Sequence, residues 1–161
     1  MPRRTIHRLQ EHLERAFRSN AWHGPALMET LHGVTAEQAA PKPLAGAHSI
    51  WEYVLHCATW IHVAQQFVVG NVKQPSSDED WPPINDTSAA AWERVLMHLE
   101  DEHRRLLDAL QLVDDTILSQ TVPTKNYDFY TLLHGVAEHN IYHAGQIMLL
   151  RRALENAREQ T

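Results

Sequence analysis

The chain has a single cysteine, Cys57, so no internal disulfide can form, and this suits a reducing compartment. It also lacks any apolar run approaching the roughly 20 residues that a bilayer-spanning helix needs. No apolar segment follows the basic start MPRRTIHRLQ, so the secretory-signal pattern is missing too. These absences lead us to expect a cytoplasmic protein that makes no use of a membrane. Basic residues are in short supply: 14 Lys and Arg against 20 Asp and Glu leave a formal charge of −6. Binding to a phosphate backbone needs a basic surface, so nucleic acid is not expected as a partner. No convincing strand, internal repeat or low-complexity tract can be found.

What the chain does have is 43% hydrophobic residues in 161 positions, enough for one domain with a proper core and little more. We therefore treat residues 1–161 as a single helical domain. Apolar residues at helical spacing (Ile6, Leu9, Leu13, Ala16) predict a first long helix over about 4–19. WHGPALMETLHG predicts a short helix with Pro25 in its first turn and Gly33 closing it, and TAEQ at 35–38 is a capping-box pattern for another. SIWE at 49–52 is a second capping box, opening a helix of about twenty residues that ends near Gly70. Its apolar stripe is Ile50, Val54, Cys57, Ile61, Ala64 and Val68. The polar, Pro-rich NVKQPSSDEDWPPINDTS reads as a linker. A third long helix is expected from 88 to 111, with Trp92, Leu96, Leu99, Leu106 and Leu110 inward, and a fourth from 129 to 156. The fold class is therefore all-α: a four-helix bundle with one or two short extra helices and long connections.

The twelve histidines are the unusual feature, and EHNIYHAGQI at 138–147 places two of them four apart. Random placement of twelve histidines gives roughly one such pair, so the spacing alone says little. Position says more. The apolar stripe of the last helix is Leu132, Val136, Ile147, Leu150 and Leu154; His143 falls in its middle and His139 about 40° from it. Two imidazoles facing a core need partners. The residues alone leave open a shared divalent cation or two separately hydrogen-bonded core histidines. H-E-x-x-H chemistry is excluded, because Asn140 occupies the place of the general-base glutamate. A metal site normally takes a third protein ligand. His56, on the second long helix beside Tyr53, Trp60 and Phe67, is one candidate, with Glu52 a turn earlier to orient its other ring nitrogen. His103 competes from the third helix and His62 is a weaker choice; His7, His12, His23, His32, His48, His98 and His134 read as surface or locally bonded residues. Cys57 points about 100° away from His56 and reads as a core residue. Tyr142 and Gln146 flank His139, within reach of a bound water or substrate.

The segments WHGPALMETLHGVTAEQAA, GAHSIWEYVLHCATW and LLHGVAEHNIYHAGQIMLLRRA together resemble the DinB/YfiT family of metalloenzymes, over about residues 20–155. The resemblance implies a four-helix bundle. It also implies a divalent metal, zinc or nickel, held by one histidine of the second long helix and the HxxxH pair of the last. Carried over residue by residue, the metal ligands are His56, His139 and His143, and His103 falls back to a structural or supporting role. The family's name records damage-inducible expression and implies no polymerase activity. Similar proteins include transferases that join low-molecular-weight thiols to electrophiles, a thiol-dependent isomerase and hydrolases. The resulting expectation is a metal-dependent S-transferase with a small-molecule substrate and a low-molecular-weight thiol as cosubstrate. A metal-dependent hydrolase and a non-catalytic metal or ligand-binding module are the alternatives. Ala137, Ile141, Ala144 and Met148 form a second apolar row on the last helix, and from it we expect a homodimer.

Overall fold

A computed structural model of the chain describes residues 3–159. Its helices are α1 (Arg4–Phe17), α2 (Leu27–Leu31), α3 (Ala36–Ala39), α4 (Ile50–Val68), α5 (Ser77–Asp80), α6 (Ala89–Gln111) and α7 (Phe129–Glu159), with a 3-10 turn at Asp115–Ser119. Among the described residues β-pairing is confined to one isolated bridge between Thr121 and Asp128. The all-α expectation holds, and the four long helices α1, α4, α6 and α7 form the bundle.

Local chemistry explains where the helices begin. At α4 the Glu52 N–H donates to Ser49 Oγ at 3.1 Å and the Ser49 N–H donates to Glu52 Oε2 at 2.7 Å, so two helix-end donors are satisfied reciprocally. Ser88 caps α6 in the same position, accepting from the Ala91 N–H. At α2 the cap is Ala26, so Pro25 lies just before the helix and not in its first turn as expected. Helix α1 has no side-chain cap of its own. Its free N–H groups on Thr5 and Ile6 are taken by the Asp115 carboxylate of the 3-10 turn at 3.1 and 2.9 Å. Gly70 sits at φ +87° beyond the end of α4, a left-handed position that a side chain would strain.

Cross-helix contacts give the topology. Arg3 reaches the Leu110 carbonyl, Gln10 the Leu107 carbonyl, and Glu14 bonds His103, so α1 and α6 are antiparallel. Trp51 packs on Trp92 at 5.0 Å between ring centroids and His62 bonds Glu102, so α4 and α6 run parallel. Tyr53 meets His143 and Trp60 meets His139, so α4 and α7 are antiparallel. The bundle is therefore up-down-down-up in chain order. Its core holds Ile6, Leu13, Phe17, Ile50, Trp51, Ile61, Leu99, Leu106, Leu133 and Ile147, all fully buried. The Trp51–Trp92 pair adds about 0.5–1.5 kcal/mol beyond its area burial.

Two consequences bear on the site. Because α4 and α6 are parallel, the chain must travel back along 19 residues of helix, roughly 28 Å, before α6 can start. The segment taken for a linker is this crossover, and it is pinned across the middle of α4. The second concerns the extra apolar row on α7. His134, one turn before it, meets His12 of α1 at 5.4 Å, and Arg151, one turn after it, donates to the Thr30 carbonyl of α2 at 2.7 Å. Ala137 and Ala144 are buried and Ile141 and Met148 half-buried on that same side. Ala137, Ile141 and Ala144 of the row thus pack into the chain's own core, with contacts to α1 and α2 flanking it. No helix among the described residues is long and apolar enough to cross a membrane.

Candidate metal centre

Helix α4 offers Tyr53, His56 and Trp60 on one face, at i, i+3 and i+7, and α7 offers His139, His143 and Gln146. Antiparallel pairing brings the two faces together. His139 Nε2 lies 3.1 Å from His56 Nε2 and 3.1 Å from His143 Nε2. All three expected residues thus converge, with their ligating nitrogens within 4.8 Å of one another. His56 and His143 are buried and His139 half-buried, so the cluster is reached from the His139 side.

The proton positions follow from the other ring nitrogens. His56 Nδ1 sits 2.9 Å from the Asp80 carbonyl oxygen and 2.9 Å from Asp80 Oδ1, both acceptors, so this nitrogen carries the hydrogen. His143 Nδ1 donates to Gln146 Oε1 at 2.6 Å. In the neutral rings both Nε2 atoms then present lone pairs, and both face His139 Nε2, which can supply at most one hydrogen. At least one of the two 3.1 Å contacts is therefore between lone pairs. A cation at their meeting point satisfies all three. The spacing suits one, since nitrogens about 2.0–2.1 Å from a tetrahedral zinc lie roughly 3.3 Å apart. Burial, followed by the neighbouring imidazole His143, drives the His139 pKa down to about 3, and burial takes His143 down to about 4. Both rings are neutral at physiological pH, the state a metal ligand requires.

Aromatic rings enclose the cluster. Trp81 stacks on His56 at 3.9 Å and 6°, and His48 stacks on the other side of Trp81 at 3.6 Å and 8°. Tyr53 and the exposed Tyr142 each lie 5.1 Å from the His143 ring. His48, its side chain 40% exposed and 3.6 Å from Glu52, forms the outer edge of this wall, in keeping with the surface or locally bonded position expected of it. Two expectations change. Glu52 does not orient His56: besides capping α4 it bonds Lys42 at 2.8 Å and lies 3.6 Å from His48. Gln146 is held by His143 and is not free to reach a bound molecule.

Asp80 and Trp81 were missed, because the crossover read as a linker. A signal was present: Ser76 and Glu79 in PSSDE are spaced as a capping box, like the pairs at 35–38 and 49–52. The structure forms that box, with the Ser76 N–H donating to Glu79 Oε2 at 2.8 Å and the Glu79 N–H to Ser76 Oγ at 3.3 Å. The resulting turn, α5, aims Asp80 at α4.

The remaining histidines lie elsewhere. His103 is fully buried, stacked on Phe17 at 3.8 Å and bonded to Glu14 at 2.8 Å, which is a structural role. Across the crossover from the cluster lies a cleft of about 420 Å³, lined by Thr59, His62, Glu79, His98 and Glu102 among others. None of the three clustered histidines lines it, and the buried Glu102 carboxylate in it is shared by His62 at 2.8 Å and Arg105 at 3.0 Å. Cys57 is fully buried in the core, and burial pushes its thiol well above the ordinary range.

A comparison with curated proteins finds no match. The family model of the DinB superfamily matches residues 4–147, a span that takes in α1, α4, α6, the first part of α7 and the three converging histidines, and the chain accordingly belongs to the DinB superfamily.

Proposed function

We propose that the protein binds one divalent metal ion through Nε2 of His56, His139 and His143 and uses it to activate a small nucleophile. The observation that carries this reading is the convergence of three imidazole Nε2 atoms with at least one contact between lone pairs. Imidazole donors suit zinc and nickel, and three protein ligands leave a position open for an exogenous group. The bound metal would supply Lewis acidity, lowering the pKa of a thiol or water held there.

The chain's own residues set the rest. Three neutral ligands leave the ion's charge uncompensated in the inner sphere, which favours an anionic fourth ligand. The protein cannot furnish a thiolate itself, because Cys57 is fully buried and its thiol is pushed up by burial. A thiolate must therefore come from solution, by way of the half-buried His139 side. Tyr53, Trp60, Trp81 and Tyr142 pack their rings against the cluster. This supports transfer of a low-molecular-weight thiol to an electrophilic small molecule.

The test uses apo and metal-reconstituted protein with a panel of low-molecular-weight thiols and electrophilic acceptors. The metal-loaded protein is expected to accelerate thiol consumption, and the apo protein and His139→Ala are not. Equal rates for all three across the panel would remove the transferase reading, while stoichiometric metal binding under the same conditions would preserve the metal site.

A further inference from the structure

The crossover touches the three-histidine cluster through Asp80 and Trp81, and of these Asp80 makes the polar contact. Its carbonyl oxygen and its carboxylate Oδ1 both lie 2.9 Å from His56 Nδ1. The same Oδ1 accepts from Trp60 Nε1 at 2.7 Å, so the carboxylate is held by two residues one turn apart on the same face of α4. Next to it the Glu79 carbonyl accepts from Thr59 Oγ1 at 2.9 Å, and Trp81 lies flat on the His56 ring. Three consecutive residues, Glu79 to Trp81, thus fasten the strap over His56. Neither of the other two histidines has a carboxylate partner: His143 is held by the Gln146 amide.

We infer that Asp80 is the positioning residue of the metal centre, forming with His56 a carboxylate–imidazole–metal relay that Trp60 locks in place. This rests on the proposed metal site and extends it to a residue outside the bundle helices. Two effects act together. The carbonyl and carboxylate fix the ring with its hydrogen on Nδ1, which keeps the Nε2 lone pair directed at the ion. The carboxylate also makes the imidazole a stronger donor and places a negative charge against a ligand ring, partly offsetting the cation. His56 would otherwise be free to adopt the other tautomer, in which Nε2 carries the hydrogen and cannot bind metal.

The experiment compares wild type, Asp80→Asn and Trp60→Phe as folded, metal-free proteins. Asp80→Asn keeps an oxygen of the same size and removes the charge; Trp60→Phe leaves the carboxylate and removes its second anchor. Zinc affinity is measured by competition with a chromophoric chelator, and the His56 tautomer by long-range nitrogen–proton NMR of the apo proteins. Asp80→Asn is expected to weaken zinc binding 10- to 100-fold, as for other outer partners of ligating histidines. Trp60→Phe is expected to weaken it less, and wild-type His56 is expected to show a hydrogen on Nδ1. Wild-type protein that binds zinc while Asp80→Asn binds within threefold of it would overturn the role of Asp80 and leave the three-histidine site standing. Wild-type protein that binds no zinc would overturn both, and an Nε2-protonated His56 in the apo wild type would overturn the tautomer lock on its own.

Discussion

Two buried histidine environments in this protein use the same side chain in opposite ways. At the α1–α6 seam His103 is stacked on Phe17, and its Nε2–H donates to the Glu14 carboxylate. Burial lowers its pKa, and burial alone would raise that of Glu14. Hydrogen bonds from His103 and Arg18 instead hold the Glu14 carboxyl below its usual value, so a neutral ring meets an anion. At the α4–α7 seam three imidazoles point their Nε2 atoms at one another while their outer nitrogens, on His56 and His143, are already bonded. In the first arrangement Nε2 has its acceptor inside the protein, while Nδ1 is buried without a partner. In the second the Nε2 atoms have only one another. What separates a structural histidine from a candidate ligand here is therefore what Nε2 faces, a carboxylate in one case and further imidazole nitrogens in the other, and burial by itself does not decide it.

The sharpest way to break this contrast is to exchange the losses. His139→Ala is expected to abolish measurable zinc binding, a fall well beyond the roughly 100-fold typical of outer-partner changes, with little loss of fold. His103→Ala is expected to retain zinc at full stoichiometry and to lose about 2–4 kcal/mol of stability, because a packed, fully buried ring is removed. Equilibrium dialysis and urea denaturation on the same two preparations read both quantities. Zinc retained by His139→Ala, or lost by a folded His103→Ala, would contradict the division of roles.

Acid should separate the two seams next. Folded His139 and His143 sit at about 3 and 4, below the ordinary histidine value, so the unfolded chain binds more protons across that window. Their contribution is fully present above about pH 6.5 and is lost as the pH falls toward 4. Metal-free wild type should therefore show a falling urea midpoint from pH 7 to pH 4.5, and His143→Gln a shallower fall. His103→Gln should change the slope less, since Glu14 opposes the effect of burial there. Parallel slopes in all three proteins would remove this account.

The smallest effect tests which carboxylate serves His56. Glu52→Gln keeps an oxygen for the Ser49 N–H and removes only a partly exposed pair with Lys42, so stability should change by less than about 1 kcal/mol. Zinc affinity should stay within threefold of wild type. A loss as large as that expected for Asp80→Asn would return the orienting role to Glu52.

Much of this was written locally. The capping boxes at Thr35 and Ser49 and the 3.6-residue stripes placed the helices, and the i, i+4 spacing put His139 and His143 on one face, because these depend on neighbours within a turn or two. The family resemblance supplied His56 as the third partner, ahead of His103, which fits an inward stripe equally well. Periodicity could not rank the two, since both lie on buried faces.

What only the tertiary structure decided is everything that depends on helix direction. The apolar row Ala137, Ile141, Ala144 and Met148 could have met a second copy or a neighbour in the same chain, and Ala137, Ile141 and Ala144 pack into the chain's own core between contacts to α1 and α2. The parallel pairing of α4 and α6 is invisible in either helix alone, yet it forces residues 69–88 back over His56 and turns an apparent linker into the strap that carries Asp80 and Trp81. The sequence by itself determined which residues could become ligands, through short-range periodicity. Their meeting, and the partner that orients one of them, came from contacts between segments 24 to 83 residues apart, which local propensity does not encode.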